Sequence, residues 1–304
     1  MSITEQPIGE VSAPTDLTEA TEVATSTPVN LTEQATGSVA IPSTITPESI
    51  PTTNPSGAII GYNNVLLSAT ITGDTTTPES ALTKNTWERW RPTATTVTAR
   101  FRVGNVDTGI NYIAIAAHNL IGETITVKTD TVEGTAIGSM DLVETITPTS
   151  NQPIFLTFST RAIREVAITA TFSSQTEIGV IYAGIYMQMP VAVYGGHTPM
   201  TLNQDTDYRD IQSDTGQFLG RSIVRQGLNG NFSWQYIEPD WYRDTFQPFV
   251  IAARTSPFFI KWRPDYYEDE IAFGYSTKDF KPTNMGGGHR LMSVSMSMRG
   301  HSDA

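Results

Sequence analysis

Side chains able to do chemistry are thinly spread along this chain. The densest group is acidic: Asp265, Glu268, Asp269 and Glu270 within PDYYEDE. Two carboxylates at a set separation, one with its pKa raised by burial, could hydrolyse a glycosidic bond. The segment lies between two strand-like runs, however, and reads as a solvated turn flanked by Tyr266 and Tyr267. Asn203, Asp205, Asp207 and Asp214 fall on positions 1, 3, 5 and 12 of a calcium loop. The sixth position, which needs Gly for a sharp turn, is Tyr208, and the last carries Asp in place of a bidentate Glu. A polar loop between domains is the expected structure. Gly286-Gly287-Gly288 before His289 opens a strand and lacks the Lys-Ser/Thr of a phosphate-binding loop, so it reads as a turn. His118 follows a buried run and is expected to cap it by a hydrogen bond, with no Ser or Asp in triad spacing nearby. No catalytic residue, metal site or cofactor is expected.

Two tryptophans carry a sharper choice. Trp87 and Trp90 stand in WERWRPT. Exposed indoles stack on sugar faces, so both are candidate glycan contacts. A Trp at the start of a strand also serves as core, because one such ring buries roughly 150–250 Å².

Composition narrows the classes further. The chain has 304 residues and no cysteine, which excludes disulfides, thiolate metal sites and cysteine nucleophiles. Charged residues are only 16% of the total, and the net charge is −12. Residues 1–83 hold nine acidic and no basic residues, whereas the remainder holds 22 acidic against 19 basic. Nothing here matches a phosphate backbone, so direct nucleic-acid binding is not expected. MSITEQPIGE lacks a basic and apolar leader, and no run of 18 apolar residues occurs. A soluble, non-secreted protein without membrane insertion is expected.

The elements that must position these residues are mostly strands. Residues 1–56 come first, with 12 Thr, 7 Pro, 7 acidic and no basic residues. Such a segment cannot offset its ordering entropy alone. It reads either as a loose tail or as an extended arm that folds on assembly and clamps neighbouring subunits. Arg100, Arg102, Arg161 and Arg164 are candidates for docking its acidic charge. Residues 57–190 show period-two alternation, as in Val97, Ala99, Phe101 and Val103, or Val166, Ile168, Ala170 and Phe172. Ile110–Ala117 is almost all apolar and reads as a strand buried on both faces. Residues 191–304 read as a second β-sandwich with one helix over about 239–254, kinked at Pro248. Its last strand alternates Met292, Val294, Met296 and Met298 with serines. The fold class is therefore mainly β: an arm, a β-sandwich, then a second sandwich with one helix.

WERWRPT, TVTARFRV and NYIAIAAHNLIGETITV resemble the galactose-binding-like (discoidin-type) jelly rolls of tailed-bacteriophage structural proteins. Trp87, Trp90, Ile113–Ala117, His118, Asn119 and Leu120 are the matching positions, within residues 58–190. The order around Pro239–Arg254, with FFIKWRP and MSVSMSMRG, resembles the sandwich-plus-helix module of tail-tube and distal-tail ring proteins. The resemblance implies a non-enzymatic virion component of the tail tip, baseplate or distal-tail ring. Such a protein would contact copies of itself in a ring, and other tail proteins. The alternatives are a module binding host-surface glycans in adsorption, and a capsid decoration or head-fibre protein.

Overall fold

A computed structural model describes residues 57–73, 76–172, 175–286 and 290–301, with backbone only at 105–108. The expected arm, and His289 with Gly287 and Gly288, lie outside these residues.

Alternating β-branched and aromatic positions build β1 (Ile59–Gly61), β2 (Thr70–Thr72), β3 (Thr96–His118), β4 (Thr124–Asp130) and β5 (Asp141–Ile146). Next come β6 (Ile154–Thr171), β7 (Ile178–Gly184) and β8 (Met187–Gln188). The later part holds β9 (Asp207–Gln212), β10 (Phe218–Arg225), β11 (Leu228–Ile237), β12 (Phe258–Lys261), β13 (Ile271–Ser276), β14 (Thr283–Asn284) and β15 (Met292–Gly300). The described residues are mainly β, with sandwich-like sheets, short 3-10 turns and one α-helical segment.

The first sheet runs β2-β3-β6-β4-β5, with β7 on the far half of β3. β3 and β6 are long and pair along most of their length, with register shifts between Arg102 and Tyr112. Such irregularities bend strands and increase twist. One half of each strand pairs with β4 or β2 and the other half of β3 with β7, yet both halves feed one core. Val97, Phe101, Ile113, Ile115, Ile125 and Ile168 all lie in it.

Ile110–Ala117 is buried on both faces, as its composition requires. Ile113 and Ile115 join the first core, whereas Tyr112, Ala114 and Ala116 meet Phe259, Ile271 and Phe273 of the second sheet. Tyr182 and Phe155 complete that seam, with Tyr182 and Phe259 ring centres 5.4 Å apart in an edge-on contact. Edge-to-face geometry suits the ring quadrupoles.

The second sheet runs β11-β15-β13-β12-β1-β8. β1 and β8 precede Pro190, so the sandwiches expected over 57–190 and 191–304 share a sheet. Residues 57–301 pack as one unit. The outer face of this sheet buries Phe232, Trp234, Val294, Met296 and Met298 against the helical segment.

That segment is α1 (Pro239–Trp241), a wider π-type turn (Tyr242–Phe246) and α2 (Gln247–Ala253). Pro248 has no N–H, and its ring crowds the carbonyl four residues back. The widened turn directly before it relieves the clash that was expected to appear as a kink: Gln247 N–H reaches back five residues to the Tyr242 carbonyl. Phe246 and Phe249 point inward from the two halves.

Candidate functional site

The loop ahead of β3 separates the two tryptophans completely. Trp90 is fully buried, its backbone bridges Ile178, and its Nε1–H donates to Thr76 Oγ1 at 3.1 Å. It is core and cannot stack on a sugar, which corrects one of the two expected contacts. Trp87, three residues earlier, is 89% exposed. Nothing else about the loop is loose. Asn85 Oδ1 accepts from the Trp87 and Glu88 N–H groups at 3.0 and 2.8 Å. Behind the indole, Glu177 holds Arg89 at 2.9 Å and Arg91 at 2.8 Å. An Asx-type turn on one side and the buried Trp90 on the other thus fix the backbone around Trp87, whose ring lies in water.

A cleft of about 560 Å³ opens beside this loop. Lys84, Asn85 and Thr86 form one wall, and Arg254–Pro257, Tyr275 and Arg299–His301 form the other. Lys84 Nζ crosses it to Ser256 Oγ at 2.7 Å. The lining offers hydroxyls, amides, cations and the His301 imidazole.

The four arginines expected to dock an acidic arm are not equivalent. Arg100 and Arg102 both turn to Glu165, a fully buried carboxylate on β6. Gly134 N–H also donates to it at 2.7 Å, and Arg100 reaches the Thr135 carbonyl. Burial alone would raise the Glu165 pKa; the Arg100 hydrogen bond, the Gly134 amide and the two guanidinium charges outweigh it and hold the group below its ordinary value. The docking role expected of these two side chains is therefore taken by an internal partner. Arg161 lies over the Phe158 ring at 5.4 Å, and Arg164 is exposed.

The other expected features are scattered. Asp265, Glu268 and Asp269 are exposed on the turn between β12 and β13, and Glu270 accepts from Trp262 Nε1. His118 Nε2 lies 2.9 Å from the Gln152 carbonyl, and its Nδ1 accepts from Leu120 N–H, so it caps the end of β3. Asp205 binds Arg225 and Arg299, while Asp207 binds Arg225. Among the described residues no three His, Asp or Glu side chains group as metal ligands. No helix among them is long and apolar enough to cross a membrane.

The segment expected as a polar inter-domain loop contains a feature the sequence reading missed. β9 and β10 form a two-stranded sheet of their own. Tyr208, Ile211, Phe218, Leu219, Ile223 and Val224 are each 51–68% exposed along it. The turn Ser213–Gln217, with Gly216 at φ +82°, was the available signal: D-T-G between two runs of mixed apolar and polar residues.

No family model matches the chain, and no curated protein matches it. Among solved structures it is similar to a chitosan-binding module of a chitosanase/glucanase from Paenibacillus sp. IK-5, at 17% identity and TM-score 0.35, over 40% of this chain and 98% of that one. It is also similar to the CBM32 module of AlyQ solved with 4,5-unsaturated mannuronic acid, at 21% identity and TM-score 0.32, over 40% and 96%. A third is a CBM32 module produced by Clostridium perfringens, at 13% identity and TM-score 0.32, over 40% and 98%.

Proposed function

We propose that this protein is a non-catalytic carbohydrate-binding protein whose contact is Trp87, on the loop that directly follows the cleft-lining residues Lys84, Asn85 and Thr86. The observation that carries the reading is the 89% exposure of that indole on a turn closed by Asn85 Oδ1. Leaving such a ring in water forgoes about 2–3 kcal/mol of burial. A loop that spends hydrogen bonds on both sides to keep it there is suited to stacking on the apolar face of a pyranose. Asn85, Thr86, Lys84 and Ser256 supply donors and acceptors for the sugar hydroxyls alongside it.

The test is a glycan array followed by calorimetry on the best hit with Trp87→Ala. Binding should fall about 10-fold or more, the scale of a central aromatic contact, with thermal stability unchanged. A hit bound equally well by Trp87→Ala would overturn the assignment.

On a second reading the protein is a structural component of a bacteriophage virion, in the tail tip, baseplate or distal-tail ring, or a capsid decoration or head-fibre protein. It would then act through contacts with its own copies and with other virion proteins. The observation that favours this reading is the apolar hairpin of β9 and β10, which no other described residues cover. Light scattering on the full chain tests it: a ring-sized mass supports the reading, and a monomer at all concentrations counts against it.

A further inference from the structure

We infer that the β9–β10 hairpin is a docking blade for a second copy of this chain; the inference rests on the assembly reading and names the surface it requires. A lone two-stranded hairpin is marginal in water, and three strands or a packing layer are normally needed. This one carries six large apolar side chains that no layer among the described residues covers. By strand alternation Tyr208 and Ile223, a cross-strand pair, share one face, and Ile211 lies on the other. Both faces are therefore apolar, so folding the blade down onto its own body would cover only one of them.

The blade is nonetheless shaped and anchored. Asp210 receives Arg221 in a two-pronged contact at 2.5 and 3.1 Å, and the Arg221 guanidinium lies over the Tyr208 ring at 4.6 Å. At its root Arg225 binds Asp205 at 3.0 Å and Asp207 at 2.9 Å, and Arg299 of β15 binds the same Asp205 at 3.1 Å. That network ties the hairpin to the second sheet and leaves its length free.

Two properties point to a second copy as the occupant. The hairpin holds Asp207, Asp210 and Asp214 against Arg209, Arg221 and Arg225, so it is neutral on a chain of net charge −12. Identical neutral blades can approach one another without mutual charge repulsion. The six side chains together present roughly 700 Å² of surface divided between two faces, less per face than the ~800 Å² of a standard interface, so covering the blade takes a neighbouring copy on each side, as in a ring. The free edges of β9 and β10 can also extend pairing to a matching strand, which is how exposed edges associate.

The experiment measures the mass of the full chain across concentration by light scattering and sedimentation, for the wild type and for Phe218→Asp/Ile223→Asp. The wild type should associate, and the double variant should weaken association about 30-fold or more with unchanged circular dichroism. Ser222→Cys, on the same blade, should give an oxidised dimer cross-linked through Cys under mild oxidation. A wild type that assembles but is indifferent to the double variant overturns the blade and leaves the assembly reading standing. A wild type that stays monomeric overturns both. Hairpin-dependent flotation of a monomer with phosphatidylcholine vesicles, with or without phosphatidylglycerol, would assign the blade to a lipid surface and overturn the inference.

Discussion

The pair β4–β6 and the pair β9–β10 are both antiparallel and both mix apolar with polar residues, yet they end in opposite environments. In the first, Ile125 and Val127 of β4 and Val166, Ile168 and Ala170 of β6 are buried in the first core. In the second, Ile211, Ile223 and Val224 are more than half exposed. The strands themselves are not the cause. β4 and β6 belong to a sheet whose long strands bend so that β7 and the Trp90 loop share its core, whereas no layer among the described residues lies beside β9 and β10. Burial is a property of the neighbouring layer, and a hairpin without one is available for contact. Trp90 and Trp87 repeat the same contrast three residues apart.

The sharpest way to break this comparison is at the covered end. Trp90→Ala should cost about 3–5 kcal/mol, read by chemical denaturation, because it removes a fully buried indole and orphans its Thr76 contact. A loss below 1 kcal/mol would mean that this core is not closed.

Next in size is Glu165→Gln, which keeps the shape but removes the charge facing Arg100 and Arg102; a loss of about 2 kcal/mol is expected. Its folded pKa lies below its unfolded value. Its contribution is therefore complete above the ordinary carboxylate pKa and is lost as pH falls through the lower folded value. Wild-type stability should drop across that acidic window, and Glu165→Gln should flatten the drop.

Ile168→Ala and Ile223→Ala make the same chemical change in the two regions. The first should cost about 2–5 kcal/mol, and the second less than about 0.5 kcal/mol when measured on monomer. Equal costs would show the hairpin to be covered in solution.

The smallest stability effect belongs to Trp87→Ala, within about 0.5 kcal/mol of wild type, with its consequence confined to glycan binding. A large loss of stability would move Trp87 into the core and end its proposed role.

The fold class was legible because strand periodicity is a local signal. Met292–Met298 and Val97–Phe101 show their inward positions without reference to anything else in the chain. The helical segment was legible from Pro239, Asp240 and the spacing of Phe249, Val250 and Ala253. The hairpin was less legible because the aspartates of 203–214 match a calcium-loop spacing, while the D-T-G turn stands between runs that mix apolar with polar residues and lack strict alternation. Arg100 and Arg102 read as outward and available, since their partner Glu165 lies more than sixty residues away and its register could not be known.

By itself the sequence determined a mainly β chain, the interior face of its regular strands, a Pro-limited helix and a buried run at Ile110–Ala117. Each of these follows from side-chain period and local backbone limits. Only the tertiary structure decided that β1 and β8 join the second sheet, that Glu165 is buried between two arginines, that Trp90 is covered while Trp87 is not, and that one hairpin stands without a layer. Those outcomes depend on which distant segment packs on a given face, and pairing across sixty or more residues leaves no local trace.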